Sequence, residues 1–326
     1  MSTAPPLPRK RHGSPKLVSA VMLVDTSREN AQDVLDALAR QDCHPDDLEV
    51  VVYDMAGDGA LPLRMPPGFH IHHLQRPWPQ YWRVARARAA RECSGDVIAF
   101  LEDHCSPDPG WATALLAAYR SHRWAAVGYT FHNGSRNSWW SRAALVADYG
   151  RFLHPQPGGS APFLAGNNVS YARWFLEELG SAFEETIAVD YNWHQEITAR
   201  GHSMTVASEA TAAHRCYAGL ATLCAANFQY VRVLGTARAS AAQWNLFTRT
   251  ARAAAAAILV PPLRLARLAR DLWPRQHGFL EFLAALPVVW PVYTAAAFGE
   301  ASGCLAGAGD AEERFVHWEL NTPRIP

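Results

Sequence analysis

The sequence lacks several features that would place it in a class at once. Its formal net charge is zero, so no basic excess indicates nucleic acid as a partner. Its six cysteines form no CxxC pair, which argues against a zinc ribbon or a secreted disulfide framework. Reduced thiols in a cytosolic protein are the simplest interpretation. Residues 1–15 have no apolar core of the kind a signal peptide needs, and they are predicted to be a disordered tail.

A glycine-rich dinucleotide turn is also missing. The first predicted strand, Leu17–Val24, leads into Asp25-Thr26-Ser27 and not into a GxGxxG sequence. Without those glycines the backbone cannot approach a dinucleotide pyrophosphate closely. This absence argues against a dehydrogenase.

An apolar run with a polar end is the most informative stretch that is present. Val97–Leu101 stops abruptly at Glu102-Asp103-His104. Ligands of open α/β sheets gather outside the carboxyl ends of the strands. Acidic turns are also common, so the tripeptide alone fits a metal and diphosphate site or a simple strand end about equally well.

Strand and helix patterns alternate in the first part of the chain. Leu17–Val24 and Leu48–Tyr53 are β-rich runs, and Glu29–Arg40 between them has the apolar spacing of a helix. The two strands end at Asp25 and Asp54. This βαβ unit predicts an α/β fold with a mixed, mostly parallel sheet flanked by helices.

The composition changes near residue 216, where alanine and arginine become frequent and helical patterns replace strand patterns. We therefore predict a domain of residues 16–215 and an α-helical C-terminal region of residues 216–326. In that region the uncharged Phe282–Gly299 barely reaches bilayer length. Arg264, Arg267 and Arg270 recur every third residue, which is typical of helices lying on an anionic membrane surface. An ordinary helical subdomain or a homodimer face explains the pattern equally well.

The order of these signals resembles that of the family 2 glycosyltransferases with a GT-A (Rossmann-like) fold. The resemblance covers roughly residues 17–215. It follows the family's opening strand and nucleotide-binding aspartates, its basic helix with the DxD strand, its Gly-Asn-Asn segment and its Glu-Asp helix. The matching stretches are Ser19–Asp25 with Val50–Asp58, Arg86–Trp111, Phe163–Arg173 and Asp190–Gly201. The chain departs from the family where the DxD motif reads Glu102-Asp103-His104 and the Glu-Asp pair reads Val189-Asp190.

The resemblance implies a divalent metal beside the diphosphate of a sugar nucleotide. His104 stands at the ligand position, and His214 and Glu102 complete the candidate set. Mn²⁺ is favoured over Mg²⁺, because Mg²⁺ prefers an all-oxygen shell and Mn²⁺ accepts imidazole more readily. A purely structural role is the alternative for His214.

The resemblance also implies contacts to the nucleotide and to the sugars. Carboxylates accept hydrogen bonds from a uracil imide or from ribose hydroxyls, and a guanidinium suits a phosphate. The candidate nucleotide-binding residues are Asp25, Asp54, Arg86, Glu102 and Asp103, and the candidate acceptor- or sugar-binding residues are Gly166, Asn167, Asn168 and Trp193. Turn caps for the aspartates, a solvated helix for Arg86 and a buried core position for Trp193 are the alternatives.

Asp190 is the candidate catalytic base. Transfer with inversion needs one carboxylate that takes the proton of the acceptor hydroxyl. Because Asp190 precedes a predicted helix, a helix N-cap is its alternative role.

Taken together, these patterns predict an inverting, metal-assisted glycosyltransferase with a nucleotide-sugar donor, a UDP-sugar, and an acceptor that the sequence does not identify. The expected location is the cytoplasm or the inner face of the cell membrane. Three alternatives remain: a catalytically silent sugar-nucleotide-binding protein, a nucleotidyltransferase on a similar scaffold, and a membrane-associated scaffold.

Overall fold

The computed structural model describes residues 17–57, 60–67, 70–75, 82–180, 190–275 and 278–326. The tail predicted for residues 1–15 lies outside these ranges. The contacts divide the chain into two compact units, one of residues up to 132 with 154–213, the other of residues 133–153 with 214–326. The sequence indicated a boundary near residue 216. It gave no sign that residues 133–153 group with the C-terminal region.

The first unit is built around a nine-stranded sheet. Its order is β3-β2-β1-β4-β8-β6-β9-β5, and β7 pairs with β9. Strands β3, β2, β1 and β4 are parallel neighbours, whereas β8 runs antiparallel to β4 and β6. The strands are β1 Val18–Val24, β2 Leu48–Asp54, β3 His70–Gln75, β4 Val97–Leu101, β5 Cys105–Pro107, β6 Ala126–Asn133, β7 Gly159–Ser160, β8 Val169–Ala172 and β9 Met204–His214.

Helices accompany the strands of this unit, so the predicted α/β class with a mixed sheet is confirmed. In α1 the apolar positions Ala31, Val34, Leu35 and Leu38 are all buried, as the helical spacing predicts. The helices of the first unit are α1 Arg28–Leu38, α2 Trp82–Glu92, α3 Trp111–Ser121, α5 Arg173–Leu179 and α6 Asp190–Ala199, with a 3-10 turn at Pro45–Asp47.

The three central strands β1, β2 and β4 are buried along their whole length. Such strands appear in a sequence as continuous apolar runs, because both faces of a parallel sheet are covered. Glu49 is a charged residue within β2, and its carboxylate accepts hydrogen bonds from Ser19, Ser94 and the Gly95 N–H. Burial raises the pKa of Glu49, but these hydrogen bonds outweigh it and hold the pKa below its usual range. This network fixes the turn that leads into β4.

Two elements differ from the sequence-based prediction. The apolar pattern of the sequence predicts a strand at Met204–Val206, but β9 continues to His214. Its sequence is rich in alanine, serine and threonine, so the strand depends on pairing within the sheet more than on intrinsic propensity. The proline and glycine residues of His154–Pro162 predict a flexible loop, but Gly159 and Ser160 form β7 and pair with β9.

The second unit is helical. Its helices are α4 Trp139–Tyr149, α7 Leu220–Ala241, α8 Leu246–Leu272, α9 Gly278–Ala306 and α10 Ala311–Asn321. Helix α9 packs against α4, α7 and α8. A Cβ atom at Gly299 would lie 2.3 Å from the Phe228 carbonyl oxygen, so this glycine permits a close approach of α9 to α7. Among the described residues, α9 is the one helix long and apolar enough to cross a membrane, and 44% of its most apolar window is buried within the protein.

Candidate active site

Three neighbouring parallel strands bring the candidate residues to one edge of the sheet. Val24 of β1 lies opposite Asp54 of β2, and Met22 lies opposite Leu101 of β4. Asp25, Asp54 and Glu102 therefore stand at adjacent carboxyl ends, and all three side chains are buried. The structure thus places these predicted site residues at one edge.

Asp54 is bound on both carboxylate oxygens. Arg28 donates from Nη1 to Oδ1 at 2.8 Å and from Nη2 to Oδ2 at 2.9 Å, and His73 Nε2 lies 2.8 Å from Oδ2. Burial raises the pKa of Asp54, but the hydrogen bonds from Arg28 and His73 outweigh this effect and lower it. No local pattern indicates these partners, because Arg28 opens the next helix and His73 belongs to another strand. Asp58, the second aspartate of this stretch, lies outside the described residues.

Glu102 is held by the two amides of the Gly-Asn-Asn segment. Asn167 Nδ2 donates to Glu102 Oε1 at 2.7 Å, and Asn168 Nδ2 donates to Oε2. The Glu102 N–H donates back to Asn168 Oδ1 at 2.9 Å. Asn168 is fully buried, and its amide fixes the carboxylate. Its contact with a sugar stays a prediction. Gly166 and Asn167 are half-buried.

His104 completes the polar tip of β4. Its Nδ1 lies 2.7 Å from Asp103 Oδ1, and its Nε2 lies 3.5 Å from Glu102 Oε2. Carboxylates commonly orient a metal-binding imidazole through the ring nitrogen that does not face the metal. Asp103 is buried in this orienting position, with one oxygen committed to His104.

His214, the last residue of β9, joins this tip. One ligand atom each from Glu102, His104 and His214 lies within 4.8 Å of the others, and all three residues are buried. One carboxylate oxygen and two imidazole nitrogens form a donor set that a borderline divalent ion such as Mn²⁺ accepts. The three residues that the resemblance implies as ligands are therefore brought together, and their chemistry fits the ion.

Two predicted site residues belong to the protein core. Trp193 is fully buried, with its ring 4.1 Å from that of Tyr171 and 6.5 Å from that of Phe100. This is the core position given above as its alternative role, and an acceptor contact of Trp193 stays a prediction. Arg86 is also buried, and its guanidinium lies 4.1 Å above the Phe100 ring. Burial excludes the solvated-helix alternative for Arg86, and its contact with a phosphate stays a prediction. The contact with Phe100 is a cation–π interaction.

Helix α6 begins at Asp190, whose side chain lies outside the described residues. His194, one turn further along the same helix, was missed by the sequence analysis. Its side chain is buried, and its Nε2 has no hydrogen-bond partner among the described residues. Burial, followed by the charge of Arg86, lowers the pKa of His194 to about 4. The spacing of four residues from Asp190 was the one available signal, and it also fits an ordinary core position.

We predict that the low pKa of buried His194 reduces the free energy of unfolding at acidic pH. The unfolded chain takes up a proton at this histidine as the pH drops below 6.5, whereas the folded chain does so only near pH 4. Stability from this group is therefore constant above pH 6.5 and declines as the pH falls, by about 3 kcal/mol when the folded pKa is passed. Urea unfolding at pH 7 and pH 5 measures the free energy of unfolding that is lost between the two pH values. This loss should be smaller for His194→Gln than for the unchanged protein. His122→Ala, at an exposed histidine, should retain the full loss. An equal loss in His194→Gln would contradict the prediction.

Comparison with known families decides the class. The model of the family described as Glycosyl transferase family 2 matches residues 19–180, from β1 to the end of α5. That range contains the tips of β1, β2 and β4 and the Asn pair that binds Glu102. Residues 19–180 are a family 2 glycosyltransferase domain. His214 and the C-terminal helices of this glycosyltransferase lie beyond the matched range.

Solved structures agree with the fold of the glycosyltransferase. The mannosyltransferase PcManGT from Pyrobaculum calidifontis, solved with GDP-Man and Mn²⁺, aligns with a TM-score of 0.55 and 18% identity over 94% of this chain and 88% of its own. Residues 1–349 of TarS from S. aureus align with a TM-score of 0.46 and 11% identity. This alignment covers 95% of this chain and 99% of the TarS chain. GalNAc-T7, solved with UDP, GalNAc and Mn²⁺, aligns with a TM-score of 0.47 and 13% identity. This alignment covers 61% of this chain and 43% of the GalNAc-T7 chain. No curated protein matches the sequence significantly. The alignment with PcManGT supports the GT-A fold.

Proposed function

We propose that this glycosyltransferase moves a sugar, with inversion, from a nucleoside diphosphate sugar to an acceptor hydroxyl. The observation that carries the proposal is the cluster of Glu102, His104 and His214, whose ligand atoms lie within 4.8 Å at the edge where β1, β2 and β4 end. Asp25 and Asp54 stand at the neighbouring strand ends. Ligands of open α/β sheets bind at this edge.

A divalent cation, Mn²⁺ in our proposal, would be held by Glu102, His104 and His214. When bound, such an ion offsets the negative charge that builds on the leaving diphosphate. Asp103 keeps the His104 ring in place through Nδ1, and Asn167 and Asn168 keep the Glu102 carboxylate in place. The crystal structure of PcManGT holds Mn²⁺ with its sugar nucleotide, which supports the choice of metal.

The transfer itself requires one base. The acceptor oxygen attacks the anomeric carbon as the bond from that carbon to the diphosphate oxygen breaks, and the electron pair leaves with the diphosphate. Asp190 takes the proton of the acceptor hydroxyl. No carboxylate nucleophile is needed, because inversion occurs in a single displacement.

Asp25 and Asp54 would bind the nucleoside. Both oxygens of Asp54 accept from Arg28, which keeps the carboxylate ionised and oriented. Carboxylates at this edge can accept from a uracil imide or from ribose hydroxyls, so we propose UDP as the nucleotide. GDP is the alternative, since PcManGT was solved with GDP-Man.

Thermal unfolding with nucleotides tests the donor. We expect UDP with Mn²⁺ to raise the Tm by several degrees, because a ligand at a hundred times its Kd stabilises the folded state by about 2.7 kcal/mol. UDP without metal, and Mn²⁺ without nucleotide, should each raise it less. A larger rise with GDP would overturn the choice of nucleotide. No rise with any nucleoside diphosphate and Mn²⁺, Mg²⁺ or no metal would contradict sugar-nucleotide binding itself.

A further inference from the structure

The outer side of helix α8 is apolar over most of its length. Phe247 is 82% exposed and Ile258 is 71% exposed, and Leu259 and Leu263 are more than half exposed. At about 3.6 residues per turn these side chains, with the exposed Ala251, Ala254, Pro262 and Ala266, occupy about half of the helix circumference. Polar residues normally occupy the outward face of a surface helix in a water-soluble protein. This face, from Phe247 to Ala266, is called the α8 face below.

Helix α9 repeats the pattern. Its inner residues pack within the unit, yet Leu280, Leu283, Trp290, Phe298 and Leu305 are all exposed at spacings that keep them on one side. Helices α8 and α9 pack against each other within the same unit. Large exposed apolar side chains on two neighbouring helices are typical of an interaction site.

The charges on helix α8 are mostly positive. The helix contains five arginines and a single acidic residue, Asp271. Arg252, Arg267 and Arg270 are exposed, and Arg252 and Arg270 stand about five helical turns apart, at the same angle around the helix. They therefore lie along one border of the apolar face. Trp273 is 65% exposed at the end of this helix, and Trp290 is 51% exposed on α9.

An apolar face bordered by arginines and exposed tryptophans fits the interfacial region of a bilayer. Helices of this kind lie in the membrane plane, with their apolar face in the acyl boundary and their cations at anionic headgroups. Indole rings favour the same depth. We propose that the outward faces of α8 and α9 dock the protein onto the surface of an anionic lipid bilayer.

Two features favour a bilayer surface over other occupants. A second copy related by two-fold symmetry would bring the same surface against itself and so place arginines near arginines. A spanning arrangement would require α9 to leave its partners, although residues such as Val288, Val289, Val292 and Ala296 are buried among them. Docking on a surface satisfies the apolar and the basic residues without unpacking the unit.

Vesicle flotation with the full chain tests the docking. We expect flotation with phosphatidylcholine vesicles that contain phosphatidylglycerol, and weak or no flotation with pure phosphatidylcholine. Ile258→Ser combined with Phe247→Ser and Leu263→Ser should abolish flotation. Leu61→Ser, at another exposed leucine, should not change it. Because all the replaced side chains are exposed, the Tm should stay unchanged.

Charge is tested separately. Arg252→Gln, Arg267→Gln and Arg270→Gln together should weaken binding to phosphatidylglycerol vesicles on the order of a hundredfold, because each arginine near an anionic surface contributes about fivefold. The matched control is Arg40→Gln, Arg64→Gln and Arg120→Gln, with the same change in charge at exposed sites.

Equal weakening in the control, or no flotation of the unchanged protein, overturns the proposal. A dimer in light scattering that the serine variant dissociates, without flotation, assigns the faces to a second copy. Bound protein that resists high salt and carbonate indicates insertion and overturns surface docking.

Discussion

Asp190→Asn is expected to lower sugar transfer on the order of 10²–10⁴-fold, which is the usual contribution of a positioned general base. Asparagine occupies a similar volume but cannot take the proton of the acceptor hydroxyl. Asp190 begins helix α6, so asparagine also keeps a residue type that favours helix N-termini. Donor binding and stability should therefore remain close to those of the unchanged protein, and the loss should appear in kcat.

The measurement is transfer rate together with the rise in Tm caused by UDP and Mn²⁺. Glu196→Gln is the matched control, because Glu196 lies on the same helix and its carboxylate binds Arg200 at 2.6 Å. Removal of this partly exposed ion pair should leave transfer nearly unchanged. Full transfer by Asp190→Asn would exclude Asp190 as the base. A protein that binds the donor but never turns it over, before or after substitution, would support the silent binding protein instead.

Loss of the imidazole at position 104 is expected to weaken Mn²⁺ binding more than a hundredfold. His104→Ala removes one of three ligands, whereas Asp103→Asn leaves the ligands in place and removes only the carboxylate that orients the ring. Loss of such an orienting group costs 10–100-fold in metal affinity, so Asp103→Asn should fall between the alanine variant and the unchanged protein.

Isothermal titration with Mn²⁺ measures this order directly and does not depend on turnover. His122→Ala is the control, because His122 is exposed in the turn after α3 and contacts only the Trp124 ring among the interactions described. Equal Mn²⁺ affinity in His104→Ala and His122→Ala would show that the cluster of Glu102, His104 and His214 is not the metal site.

The tips of β1, β2 and β4 could be predicted because buried parallel strands leave continuous apolar runs in the sequence. Val97–Leu101 is such a run and is followed by Glu102. Leu48–Tyr53 is interrupted only by Glu49 and is followed by Asp54. The strands fix the positions of Glu102 and Asp54. The resemblance to a family then connected these tips with His214. No local pattern could have connected them, because the extent of β9 depends on its neighbours in the sheet and not on its alanine-rich sequence.

Contacts between distant residues limited the rest of the prediction. Arg86 was expected in solvent or at a phosphate, yet the Phe100 ring that covers it belongs to another element. Arg28 and His73 reach Asp54 from a helix and from an edge strand. The burial of Trp193 likewise follows from Phe100 and Tyr171, which lie far from it in the chain. Hydrophobic periodicity reports the environment of a segment, but it does not identify the partner on the other side.

The amide pair at Asn167 and Asn168 explains why the first acid of the β4 tip is a glutamate. The Glu102 carboxylate accepts hydrogen bonds from both amide nitrogens, and the Glu102 backbone N–H donates to Asn168 Oδ1. Aspartate is one methylene shorter, so on this backbone it would be too short to span both donors. The sequence Glu-Asp-His therefore depends on two amides some sixty-five residues further along the chain. Neither motif can be interpreted without the other.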